Sequence, residues 1–215
     1  PLQDSIYYIF TTDCAENYLA NGFCFSIVNM KLNNGNGKVV LKKQKLLNKV
    51  CEKLAAVRQA NGSDVWILVH EWGNDKFYSY SLTSAGLIIT PIISITGRIQ
   101  LPTDTMHAES ASRGYMKFSP QGDKIVVLST SDKHPFVSYP EIFSFNNTTG
   151  TVLYLYKINT QDSTNYYGGS FSPSGNLLYL SNAWYGLNLH QFNLSSNDSV
   201  TIANSKFIVY QDTSQ

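Results

Sequence analysis

The chain has 215 residues, 14% of them charged, and a formal net charge of +1. That length allows one or two domains with a real core, and the near-neutral balance offers no electrostatic case for nucleic acid or an anionic membrane. No apolar run reaches the roughly 18 residues that span a bilayer, no leader segment is visible, and the first residue is Pro1, so the sequence reads as a processed protein or a piece of a larger one.

Strand signals open the chain. Ile6–Phe10 is β-branched and aromatic, Phe23–Met30 follows, and the turn residues Asn33–Gly37 lead into a further strand from Lys38. Cys14 and Cys24 flank the polar loop between the first two runs. A disulfide there would clip the loop, and two free thiols is the other reading. Cys51 reads as a small buried hydrophobe. Between Lys43 and Val57 the apolar residues Leu46, Leu47, Val50, Cys51, Leu54 and Val57 fall at helical spacing. The pattern of the whole chain assigns this stretch instead to an outer strand, a connection and the strand Lys53–Arg58. Val65–His70, Phe77–Leu82 and Leu87–Ile93 continue the meander, with Pro91 marking the last as an edge strand.

Two later stretches say nearly the same thing. Gly114–Ser129 and Gly168–Ser181 each hold a strand, a Phe-Ser-Pro-x-Gly turn and a second apolar strand. Each is followed by a third strand (Glu141–Phe145, Leu187–Leu194), and Thr151–Ile158 supplies a fourth. Repetition at roughly 55 residues fixes the architecture as all-β, a partial β-propeller of about four four-stranded antiparallel blades. The blades fall near residues 1–52, 53–99, 114–160 and 166–215, the first without its inner strand. Long polar segments at 100–113 and 131–140 are candidate binding loops. Trp66, Tyr78, Phe118, Phe143, Phe171 and Phe192 recur at matching strand positions and read as packing between blades.

The runs Lys53–Trp66, Val69–Tyr78, Gly114–Pro120 and Leu189–Leu194 resemble the propeller region of large secreted surface proteins of Bacteroidetes. Many of those carry a gliding-motility-associated sorting domain and leave the cell by the type IX secretion route. More distantly, Phe-Ser-Pro-x-Gly followed by Leu-Tyr is similar to blades of YVTN, lactonase-type and WD40-like propellers. The resemblance implies an exported, extracellular or cell-surface bacterial protein and a ring of about seven blades. Three and three-quarter blades would leave apolar flanks and open edges for further blades or a second copy to cover. A closed four-bladed ring is the other arrangement.

Catalytic motifs are missing. There is no Gly-x-Ser-x-Gly elbow, phosphate-cradling Gly-Lys-Ser/Thr loop, His-Glu-x-x-His or Cys-x-x-Cys. His70 and Glu71 are adjacent on a strand and point to opposite faces, His190 reads as a satisfied strand residue, and His134 stands alone. The sequons at Asn61, Asn146, Asn147, Asn193 and Asn197 read as polar turns. Candidate binding residues are the aromatic cluster Tyr166, Tyr167, Trp184 and Tyr185, suited to stacking on sugars, and the loop set His107, Glu109 and Arg113. The inner strands offer Arg58 and Lys117 but no carboxylate, which weighs against an enzyme. The expected role is a non-catalytic scaffold or binding module that presents loops to a protein or glycan partner, with no cofactor. A lactonase-like hydrolase and a structural spacer in a large adhesin are the alternatives.

Overall fold

A computed structural model describes residues 5–100, 110–130, 140–160, 164–182 and 187–212. It is a fan of four antiparallel sheets. The first contains β1 (Ile6–Thr12), β2 (Phe23–Asn29) and β3 (Lys38–Leu47), in that order. The second contains β4 (Val50–Arg58), β5 (Val65–Glu71), β6 (Lys76–Thr83), β7 (Gly86–Leu87) and β8 (Ile92–Ile95). The third runs β9 (Met116–Phe118), β10 (Lys124–Val127), β11 (Glu141–Asn146) and β12 (Thr151–Lys157). The fourth runs β13 (Tyr166–Phe171), β14 (Leu177–Asn182), β15 (Asn188–Asn193) and β16 (Phe207–Gln211). The first strands lie side by side: β4 packs against β1 on one flank and β9 on the other, and β9 packs against β13. The chain is therefore a partial β-propeller.

The second strand of an inner sheet carries an unbroken apolar run, Val65–Val69 in β5 and Ile125–Val127 in β10, because both of its faces are covered. In β5, Trp66 and Leu68 join a core with Ile125, Val127 and Phe143 of the third sheet, while Ile67 and Val69 join Phe23 of the first sheet. In β10 the same alternation sends Val126 to the fourth sheet, against Leu178, Leu180 and Phe192. Each buried Leu, Ile or Phe side chain contributes about 1.5–3 kcal/mol, so these three interfaces hold the fan together.

The repeated turn is the same at atomic level. Ser119 N donates to Lys124 O at 2.9 Å and Gly122 N to Ser119 O at 2.9 Å; Ser172 N donates to Leu177 O at 2.8 Å and Gly175 N to Ser172 O at 2.9 Å. The serine hydroxyl accepts from Lys124 N in one copy and Leu177 N in the other. A third copy joins β4 to β5: Gln59 N to Asp64 O at 2.7 Å and Gly62 N to Gln59 O at 2.9 Å. Gly62, Gly122 and Gly175 have φ of +74°, +71° and +74°, the left-handed region that glycine enters without a Cβ clash.

One expectation holds and three change. Lys43–Val57 is not helical; it is the end of β3 and most of β4, as the repeat required. The outer strand of the second sheet is split. Both β7 and β8 pair with β6, with Leu82 opposite Leu87 and Phe77 opposite Ser94, so the chain bulges between them around Pro91, which has no N–H to give the ladder. A short helix, α1 (Ser199–Asn204), interrupts the last connection, capped by Asp198, whose carboxylate accepts from Thr201 N at 2.8 Å. Cys14 and Cys24 are free thiols, Cys14 exposed and Cys24 buried with Sγ 3.4 Å from Asn21 O, so the bridge is not formed.

Candidate functional site

The first-strand edge of the fan gathers polar side chains from all four sheets. Glu16 comes from the 3-10 turn Ala15–Asn17 that follows β1, Glu52 from β4, Arg113 and Tyr115 from the segment entering β9, Lys117 from β9 and Tyr167 from β13. The Tyr115 and Tyr167 rings lie with centroids 5.6 Å apart, tilted by 56°. Main-chain bonds fix that pair: Tyr115 N donates to Tyr167 O at 2.9 Å and Leu128 N to Tyr115 O at 2.8 Å. Tyr115 keeps 48% of its surface exposed. The Lys117 ammonium sits 5.9 Å from the centroid of its ring.

Charge surrounds the ring pair. Arg113 Nη2 is 2.7 Å from Glu16 Oε1. Its own main-chain N–H, and to a smaller extent Arg113, hold the Glu16 carboxyl below the usual range. The Glu52 carboxylate accepts a hydrogen bond from Ala15 N, which ties the turn carrying Glu16 to β4. Burial first, and the nearby Glu52 charge second, push the Tyr167 hydroxyl above its ordinary value. The arrangement is a half-exposed aromatic shelf with two cations and two carboxylates at its margin. Two adjacent tyrosine rings with flanking charges suit a hydroxyl-rich ligand that can lie on an exposed ring face. Paired carboxylates on neighbouring blades are also what acid–base chemistry requires.

Arg113 and Tyr167 are thus brought together, and Tyr166 is not part of the face. Its surface is fully covered and its hydroxyl bonds His190 Nδ1 at 2.7 Å inside the core of the fourth sheet. Strand alternation explains this, because adjacent residues of β13 point to opposite sides. Trp184, Tyr185, His107, Glu109 and His134 lie outside the described residues. His70 and Glu71 do part company. His70 is buried with Nδ1 2.8 Å from Glu71 O, while the Glu71 carboxylate accepts from Asn74 Nδ2 at 2.7 Å and the Tyr78 hydroxyl at 2.8 Å. Glu52 is the residue that sequence reasoning missed. The first strand of the second sheet begins at Val50, three residues before its expected start, because a bulge lies between Val50 and Leu54. The inner strands therefore do carry a carboxylate.

A second concavity, of about 470 Å³, lies between the second and third sheets and is lined by Gly97, Arg98, Glu141, Tyr154 and Lys157. Glu141 is 4% exposed; it accepts from Arg98 N at 3.2 Å, and Arg98 Nε is 3.8 Å away. Burial pushes its carboxyl up, against the pull of Arg98. Among the described residues no three His, Cys, Asp or Glu side chains form a metal-holding group, and no helix is long and apolar enough to cross a membrane.

No family model matches the chain, and no curated protein matches it. Solved structures do. A Bacteroides fragilis protein named as a candidate 6-phosphogluconolactonase matches at TM-score 0.53 and 12% identity, over 98% of this chain and 57% of that one. The periplasmic gluconolactonase of Pseudomonas aeruginosa matches at 0.53 and 12%, over 87% and 50%. Hydrazine synthase of Kuenenia stuttgartiensis matches at 0.51 and 11%, over 97% and 59%. Such identities establish a shared propeller-type fold and nothing about chemistry. The chain spans between half and three-fifths of these neighbours' lengths.

Proposed function

We propose that this chain is the ligand-binding arc of a β-propeller belonging to an exported bacterial surface protein, that it is not a catalyst, and that its ligand is a carbohydrate held on the Tyr115–Tyr167 shelf. The observation that carries this reading is the pairing of two tyrosines from neighbouring blades, 5.6 Å apart at the first-strand edge, with Tyr115 half exposed. The resemblance of the strand runs to secreted Bacteroidetes propellers supports export. The apolar side chains left exposed on the outlying strands, Tyr7 and Ile9 of β1 and Phe207 and Tyr210 of β16, support cover by further blades or a second copy.

A glycan array followed by titration calorimetry tests the site. Tyr115→Ala and Tyr167→Ala should each weaken binding about five- to tenfold, since loss of one ring face is worth roughly 1–1.5 kcal/mol. Unchanged binding in both variants removes the shelf from consideration. Recovery of the chain from the medium or cell envelope of the producing bacterium tests export, and recovery from the cytoplasm rejects it.

One observation favours a second reading, a lactonase-like hydrolase: Glu16 and Glu52 both reach this face from adjacent blades. Turnover of a sugar lactone that falls at least a hundredfold in Glu52→Gln would replace the binding proposal with this one.

A further inference from the structure

The net charge of +1 conceals a segregation. Between Asn17 and Cys51 lie six of the 16 basic residues, Lys31, Lys38, Lys42, Lys43, Lys45 and Lys49, and none of the 15 acidic ones. The other ten basic residues face all 15 acidic ones, so the rest of the chain is net −5. All six lysines are exposed; four lie in β3 itself, Lys31 in the turn before it and Lys49 in the connection after it. The ion pairs among the described residues engage Arg98, Arg113 and Lys124, none of the six. Lys43 Nζ donates to Asn21 Oδ1 at 2.7 Å and Lys45 Nζ to Ala20 O at 3.3 Å, neutral partners that leave the charge intact.

The strand that carries the row is an edge strand, paired on one side only. It is also deformed. Lys43 has φ +51°, and its N–H leaves the ladder to donate to Ser26 Oγ at 2.9 Å. Strain of this kind in a non-glycine residue costs on the order of 1–2 kcal/mol. From Lys38 to Lys45 the row runs roughly 20 Å at the usual strand rise. Edge lysines also deter sheet-to-sheet association, but that needs one or two charges rather than a segment with no carboxylate in 33 residues of sequence, from Tyr18 to Val50.

We propose that β3 and its flanking turns form a docking strip for an acidic polysaccharide, independent of the Tyr115–Tyr167 shelf. Charge complementarity selects a polyanion, and the side chains select its class. Every cation is lysine, whereas the forked guanidinium that grips phosphodiesters is absent, the arginines being Arg58, Arg98 and Arg113. β3 has no aromatic ring on which bases stack, and its apolar members are valine and leucine, without the Trp or Phe of a membrane anchor. A row of point charges along one strand fits carboxylates repeating along one sugar chain.

Binding to immobilised polygalacturonate, with neutral dextran as control, tests the strip at 50 and 300 mM salt. Wild type should bind polygalacturonate and not dextran, at least tenfold more weakly at the higher salt because screening shortens the reach of exposed charges to under 10 Å. The triple variant Lys38→Gln, Lys42→Gln, Lys45→Gln should lose at least tenfold. Lys76→Gln, Lys124→Gln, Lys206→Gln removes the same charge elsewhere and should lose less than twofold. Circular dichroism of both variants separates a lost strip from a lost fold, and single Lys38→Gln and Lys42→Gln variants replace a triple that fails to fold. No binding by the wild type, or equal loss in the two triples, overturns the proposal. So does tighter binding to an oligonucleotide or to vesicles with anionic lipid than to polygalacturonate, which reassigns the strip to another partner.

Discussion

Lys53 is 1% exposed, and its ammonium is held by the carbonyls of Ala111, Ser112 and Arg113 at 3.2, 2.7 and 3.1 Å. Burial drives its pKa down, which means that folding desolvates a charge, while the three bonds close the chain that delivers Arg113 and Tyr115 to the shelf. Removing one partner of a buried charged group costs about 2–4 kcal/mol when the other side is left unmet. Lys53→Met should therefore lower the unfolding free energy from urea titration by that amount and weaken ligand binding in parallel; a variant as stable as wild type would show that the desolvation offsets the bonds. His70 makes a pH prediction. Burial pushes its imidazolium down to about 3, so between pH 6.5 and about 3 the unfolded chain takes up a proton that the folded chain does not. Its contribution is whole above pH 6.5 and declines as pH falls, by about 1.4 kcal/mol per unit. Glu141, raised by burial, acts in the opposite direction, so the test is a difference. From pH 6 to pH 4, wild type should lose about 2 kcal/mol more than His70→Leu, and equal losses would reject it. At this scale the sequence was half legible. The opposed faces of His70 and Glu71 follow from strand alternation alone. The same rule, applied to Tyr166 and Tyr167, would have buried one of them. Glu52 needed the bulge in β4, a register feature with no local sequence mark.

The elements were legible wherever the repeat spoke. The Phe-Ser-Pro-x-Gly turn predicts two hairpins, and the structure adds a third copy at Gln59–Gly62, where Asn61 Oδ1 accepts from Asp64 N at 3.0 Å in place of a serine hydroxyl. The split outer strand and α1 were illegible for different reasons. Pro91 signals an edge but not the two-residue shift around it, and α1 is one and a half turns long, too short for a period. What the turns do between sheets can be measured. Gly150 ends the hairpin between β11 and β12 at φ +78°, and a Cβ there would meet the Trp66 indole at 2.8 Å. That indole also donates to Asn147 O at 2.9 Å, so a second-sheet side chain clamps a third-sheet turn. Gly62 has φ +74° and open space around it. Gly62→Ala should cost about 1 kcal/mol from backbone strain alone, and Gly150→Ala about 1–3 kcal/mol more from overpacking. Equal urea midpoints for the two variants would mean that the clamp is slack.

Among the described residues the buried cores join each sheet to its immediate neighbours, with the Arg113–Glu16 pair reaching from the third sheet's lead-in to the first, so the stability should approach that of a one-dimensional array. The second and third sheets are covered on both faces, and their second strands β5 and β10 hold residues at 0–6% exposure, among them Leu68, Val69, Ile125 and Val126. The first sheet has three strands, one neighbouring sheet and five non-glycine residues at positive φ, Tyr18, Leu19, Asn33, Asn34 and Lys43. In the fourth, every residue of β16 is exposed. Opening a terminal sheet breaks one interface, and opening an inner one breaks two. Amide exchange should accordingly rank the molecule from the outside in. β3 and β16 should exchange first, at a free energy well below that of global unfolding. β5 and β10 should exchange last and together, on either side of the shared core of Trp66, Leu68, Ile125 and Phe143. Exchange followed peptide by peptide by mass spectrometry tests the order. Uniform protection across the four sheets would show that the fan unfolds as one unit and that the nearest-neighbour account of it is wrong. The proposed lysine strip adds a finer expectation: saturating polygalacturonate should slow exchange in β3 and leave β16 unchanged, because a ligand stabilises only the openings it must dissociate from.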